Sequence, residues 1–286
     1  MNTRNIAANF KIFTLLSVLT GLFIAVGFVV GGRAGMIIGL AFAGLMNFAS
    51  YWYSDKIVLK MYRAEEASQE EYPQLHEMLE RLSEKAEIPK PRLYINDMST
   101  PNAFATGRNP EKGVVCVTEG LMQSLNQEEI EGVIAHELAH IKNRDTLINS
   151  VVATVAGAVG IIAELAFWGA MFGGREDQGE LASALVLMVL TPIIATLIRM
   201  AVSRSMEFRA DSEAVRLTGK PEGLSSALRT INREASKPLD RHASRSQEAG
   251  ANLFIENPFA SDNITKYFST HPPLDERIQN IESTTL

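Results

Sequence analysis

At 286 residues the chain is long enough for one large domain or two small ones. Its formal net charge of −6 excludes the basic footprint of a nucleic-acid binder. A single cysteine, Cys116, excludes an intrachain disulfide and fits a reducing compartment; within the apolar run Val114–Val117 it reads as a small buried hydrophobe.

In chain order, two uncharged apolar stretches come first, residues 12–30 and 34–53, each near the ~20 residues that cross a hydrocarbon core. Only Gly31-Gly32-Arg33 separates them, which predicts a tight helical hairpin. The basic start at Arg4 and Lys11 fits a signal peptide. The long apolar run, the lack of a clear small-residue cleavage site and the immediate second span favour a retained anchor. Gly27, Gly31, Gly35 and Gly39 recur every four residues, as turn-makers or as points where two helices approach closely.

Residues 70–86 then repeat apolar positions at helical spacing, with His76 as a surface or packing residue. The runs Pro91–Ile95 and Gly113–Thr118, with Asn102–Gly107 between them, have the character of a small sheet. Asn126 is a good cap for the next helix, and Glu128 and Glu129 follow in its first turn, where the helix dipole favours anions.

That helix carries His136-Glu137-Leu138-Ala139-His140. Residues four apart share a helical face, so both imidazoles can point at one ion. Glu137 is turned by about 100° from His136, which suits it to act on a bound water as general base rather than to join the ligands. A catalytic zinc needs a third protein ligand and an open position. The metzincin continuation is excluded, because Asn143 and Thr146 stand where Gly and His would be required. His76, His242 and His271 remain, but Glu207 is the better candidate. It shares a face with Asp211, which can accept the other N–H of a ligand histidine; the bland alternative is a solvated charged turn.

A second apolar pair spans 149–172 and 181–200, weakened by Glu164 and Pro192. Residues 235–265 are polar and read as a loop. Ten basic residues flank one side of the spans (Arg4, Lys11, Lys56, Lys60, Arg63, Lys142, Arg144, Arg199, Arg204 and Arg209), against Arg33 and Arg175 on the other. Both termini and the polar segments are therefore expected in the cytoplasm. The organisation expected is an N-terminal hairpin in 1–53, a first peptidase part in 54–148, a second hairpin in 149–200 and a second peptidase part in 201–286.

The two hairpins, Ala135–His140, Glu207-Phe208-Arg209-Ala210-Asp211 and Phe268-Ser269-Thr270-His271-Pro272-Pro273-Leu274-Asp275-Glu276-Arg277-Ile278 occur in one order along essentially the whole chain. In this the sequence resembles the HtpX family of bacterial inner-membrane zinc metalloproteases, gluzincins related to the CAAX prenyl proteases. The resemblance implies a mainly α, multi-pass membrane protein with a small β-sheet and a cytoplasmic zincin-like domain. It implies one Zn2+ per chain held by His136, His140 and Glu207, with Glu137 catalytic. His271 is placed in the active site as an oxyanion donor, assisted by Arg277. Asn102–Gly107 resembles the family's edge strand beside the metal. The implied work is hydrolysis of misfolded or damaged membrane proteins under stress. The partners are unfolded polypeptide and the lipid bilayer, with no nucleic acid. Two rivals stand beside this reading. A prenyl-specific endopeptidase needs a larger intramembrane chamber than a chain of this length is expected to build, and a structural zinc scaffold usually uses cysteines or four protein ligands.

Overall fold

The computed structural model describes residues 3–149, 151, 204–235 and 272–285. Most of the second apolar pair, all but the first residue of the polar stretch 235–265, and His271 lie outside the described residues.

Helix α1, Thr3–Met61, doubles back at Gly32, whose φ of +56° is open to glycine at little cost. The two arms touch where side chains are smallest: a Cβ on Gly27 would strike the carbonyl of Gly35, and one on Gly39 the carbonyl of Phe23. Close approach is therefore what Gly27, Gly35 and Gly39 provide, and the turn falls to Gly32. Asn47 Nδ2 donates across the arms to Thr20 Oγ1 at 2.8 Å, and the Phe23 and Phe42 rings meet edge to face at 5.0 Å. Gly32–Tyr53 is the one helical stretch among the described residues that is long and apolar enough to cross a membrane. Ile37, Ile38, Leu45 and Phe48 are 55–68% exposed there, a continuous apolar face of the kind lipid covers.

Beyond the hairpin come β1 (Glu65–Glu66), α2 (Pro73–Ala86), β2 (Arg92–Asn96), β3 (Ala103–Thr106), β4 (Val114–Thr118), α3 (Glu119–Ser124) and α4 (Gln127–Asn143). Helices α5 (Arg204–Thr218), α6 (Pro221–Ala235) and α7 (Leu274–Ser283) complete a mainly helical protein with a small mixed sheet. The strand order is β1-β2-β4-β3, with β2 and β4 parallel and both outer strands antiparallel to their neighbours. β3 thus lies at an edge.

The all-buried, β-branched β4 explains the two-sided packing of this sheet. Alternate side chains point to opposite faces. Val115 and Val117 join the main core with Val133, Ile134 and Leu138 of α4. Val114 and Cys116 face the end of α1, against Val58, Leu59, Tyr62 and Phe104. Cys116 is fully buried, and burial pushes its thiol well above the ordinary range. His76 is bonded to the Ala67 carbonyl at 3.0 Å, a packing role.

Helix α4 starts where the sequence predicts. Asn126 accepts from the N–H groups of Glu128 and Glu129, and Glu129 Oε2 accepts from the Asn126 N–H at 2.8 Å, a reciprocal capping box. From Glu129 to Ile141 every residue of α4 is buried. Gly132 permits this: a Cβ there would come within 2.8 Å of the Leu224 nitrogen, so α6 lies directly on the α4 backbone.

Candidate active site

His136 and His140 project from one face of α4, with rings 4.7 Å apart and nearly perpendicular at 88°. Helix α5 crosses that face and presents Glu207 and, one turn on, Asp211. The two Nε2 atoms are 3.1 Å apart; Glu207 Oε2 lies 3.6 Å from His136 Nε2, and Glu207 Oε1 lies 3.4 Å from His140 Nε2. All three residues are buried.

Each imidazole is oriented from behind. Asp211 Oδ1 is 2.9 Å from His136 Nδ1, and Asp145 Oδ2 is 3.3 Å from His140 Nδ1. Each aspartate is in turn held by an arginine. Arg277 Nε and Nη2 donate to the two Asp211 oxygens at 3.0 and 2.7 Å, and Nη2 is also 3.7 Å from Glu207 Oε2. Arg209 Nη2 lies 3.0 Å from both oxygens of Asp145. The first clamp is sealed, with Arg277 at 0% exposure; the second is at the surface, the Arg209 side chain being 40% exposed.

The electrostatics follow from this crowding. Burial, the largest single influence on each imidazole, opposes a charge. It is outweighed by hydrogen bonds to Asp211 and Glu207 at His136, and to Asp145 and Glu207 at His140, so both titrate above the ordinary histidine range. Burial likewise resists ionisation of Asp211, but Arg277 and His136 overcome it and hold the carboxyl below its usual range. Glu137 moves the other way: burial raises it, although both imidazoles and a hydrogen bond from the Ala105 backbone pull it down.

The donor set fits a zinc ion. With Nδ1 of each ring committed to a carboxylate, the tautomer selected bares both Nε2 lone pairs. Two bare nitrogens 3.1 Å apart beside a carboxylate repel one another unless a proton or a cation lies between them. Ligands about 2.0–2.1 Å from a tetrahedral ion are spaced by about 3.4 Å; the two Nε2 atoms are 3.1 Å apart and each lies 3.4–3.6 Å from a different oxygen of Glu207.

Among the described residues β3 pairs as a strand on one side only, with β4; it is buried, and its other side borders the site. Thr118 N–H donates to the Asn102 carbonyl at 3.0 Å, so by antiparallel alternation the peptide groups of Ala103 and Ala105 turn away from β4. Ala105 uses its N–H on Glu137.

The structure brings together His136, Glu137, His140, Glu207 and Asp211, which the sequence singles out, and Arg277, which the resemblance names beside His271, joins them through Asp211. Asp145 escapes sequence reasoning, because Arg144 at φ 61° breaks the helix and resets the face on which the next residue lies. Arg209 carries a signal of a different kind, a basic residue beside an apolar segment, and that signal masks its pairing with Asp145. His271 lies outside the described residues.

A two-histidine, one-carboxylate cluster beside a buried glutamate defines a metallopeptidase. The profile of peptidase family M48 matches residues 69–285. A protein named Protease HtpX homolog from Persephonella marina is 47% identical over 274 residues, covering 95% of each chain. Its namesake from Pyrococcus furiosus is 46% identical over 271 residues, covering 93% of this chain and 92% of its own. The crystal structure of S. mikatae Ste24p superposes with a TM-score of 0.47 at 18% identity, over 98% of this chain and 67% of that one. The chain belongs to peptidase family M48, among the HtpX proteases, and is a metalloprotease.

Proposed function

We propose that the protein is a zinc-dependent endopeptidase that hydrolyses peptide bonds in misfolded or damaged membrane proteins, in membrane quality control and the stress response. The observation that carries this reading is the convergence of His136 Nε2, His140 Nε2 and a Glu207 carboxylate oxygen, with Glu137 alongside. These three residues would hold one Zn2+ per chain. When bound, the ion would supply a water of lowered pKa and polarise the scissile carbonyl.

Glu137 takes the proton of the attacking water and returns it to the leaving amine. Its raised pKa suits both halves of that task at neutral pH. Asp211 and Asp145 keep the imidazoles in the tautomer that bares Nε2. Arg277, committed to Asp211, is a positioning residue rather than an oxyanion donor. The family resemblance gives the oxyanion to His271. The substrate lies extended along β3 and pairs with peptide groups turned away from β4, the Ala105 N–H excepted because it is held by Glu137.

Four spans, two in residues 1–53 and two in 149–200, would place the peptidase parts 54–148 and 201–286 and both termini in the cytoplasm of a bacterial inner membrane. The support is the apolar face of α1 and the one-sided distribution of basic residues. The test is Glu137→Gln. The variant is expected to keep its zinc while cleavage of an unfolded membrane protein falls by about 10²–10⁴. Undiminished turnover would remove Glu137 from the mechanism.

A further inference from the structure

The edge strand β3 and the tail of α1 run side by side, and two contacts fix their alignment. The Phe104 ring packs on Tyr62 with centroids 4.9 Å apart. The Arg108 guanidinium lies 4.4 Å from the centroid of the Trp52 ring. Tyr62 continues the helix, its N–H bonded to the Val58 carbonyl at 3.0 Å. The rise along the helix from Trp52 to Tyr62 is therefore about 15 Å. Phe104 stands at the level of Tyr62, and the chain from it to Arg108, which turns at Gly107 (φ +125°), descends alongside α1 towards the level of Trp52.

Trp52 marks a particular depth. It lies at the end of the apolar stretch Gly32–Tyr53, between Tyr51 and Tyr53, all three 38–47% exposed. Lys56 follows, its Nζ 5.7 Å from the Tyr53 ring. Clustered Trp and Tyr beside a lysine sit at the headgroup level of a bilayer. Ala105, whose N–H holds Glu137, therefore stands about 10 Å above that level, or about three extended residues.

The pairing edge also stops on its membrane side. Just past the strand, the Gly107 carbonyl accepts from the Thr146 hydroxyl at 2.8 Å. Gly107 has φ +125°, and a Cβ there would strike the Lys112 carbonyl, so the strand cannot simply continue.

We propose that α1 and β3 together form a ruler that sets the scissile bond about three to four residues from the bilayer surface in a membrane-spanning substrate. The partner is a membrane protein with an unfolded segment next to its span. This rests on the endopeptidase reading above. A chain emerging near Trp52 has to cover that height before its peptide groups reach Glu137, which is held at the level of Ala105. A span with a shorter tail reaches Glu137 only by drawing apolar residues out of lipid.

The experiment uses the full chain with zinc in vesicles of mixed zwitterionic and anionic phospholipid. Substrates carry one apolar span, then a spacer of about zero, two, four, six or eight residues, then a common cleavable segment. The same segment without a span is the control. Cleavage of the control and of the spacers of about four or more is expected, with the two shortest cut at least about tenfold more slowly. In Arg108→Ala, which unfastens the strand from Trp52, the step in the spacer profile should flatten. If every spacer is cut alike while the control is also cut, the ruler is wrong and the endopeptidase reading stands. If the control itself is not cut, the endopeptidase reading falls and takes the ruler with it.

Discussion

Replacing Arg277 with methionine would leave Asp211 buried behind His136 without the guanidinium that now contacts both of its oxygens. The side chain removed is fully buried, so solvent does little to screen what is lost. Breaking such a pair from one side typically costs about 3–5 kcal/mol. Its effect on the metal should be separable. Groups that orient ligands from behind are usually worth about 10–100-fold in metal affinity. Arg277→Met is expected to bind zinc weaker by about that factor, measured by competition with a chromophoric chelator. Thermal unfolding of the metal-free variant reports the folding cost independently. Arg277→Met combined with Asp211→Asn removes both charges and should recover much of the stability while zinc stays weak, because an amide is a poorer acceptor for the His136 N–H. A purely electrostatic view predicts the reverse, since deleting a cation 3.7 Å from Glu207 would tighten cation binding. Equal or tighter zinc binding in Arg277→Met would refute the positioning argument.

The surface clamp should behave differently: Arg209→Ala is expected to change stability by no more than about 1 kcal/mol, less at high salt, because its side chain is 40% exposed. Asp145→Ala, which strips the carboxylate from His140, should weaken zinc by about tenfold in the same competition assay. Chelation should abolish proteolysis and lower the melting temperature, and added zinc should restore both; a protein indifferent to the chelator would contradict the metal reading. Gly132→Val places branched carbons against the Leu224 backbone and should cost about 1–3 kcal/mol or more in denaturant unfolding, with wild-type stability counting against the packing described.

How far the sequence reaches depends on how local each feature is. The capping box at Asn126, the shared face of His136 and His140, and that of Glu207 and Asp211 all follow from periodicity within one helix. The strands near 91–95, 102–107 and 113–118 are legible as short β-favouring runs, although Glu65–Glu66 is too short and too charged to stand out. The order of the strands is another matter. β4 lies between β2 and β3, and this alone exposes β3 as an edge; it depends on packing against α4 and the end of α1. The pairing of Arg277 with Asp211 spans 66 residues, a distance at which spacing carries no information. Asp145 is hidden by a single left-handed residue, Arg144, which interrupts the helical count.

The imidazoles and their carboxylate come from helices that lie far apart in the chain, α4 and α5, and the clamp on Asp211 comes later still, from α7. A ribosome working at about 5–20 residues per second finishes α4 roughly three to thirteen seconds before it reaches Glu207. During that interval the histidines lack the Glu207 carboxylate, and the nascent chain has no competent centre. Hydrolytic power is thus withheld by the order of synthesis itself until the late helices dock onto α4.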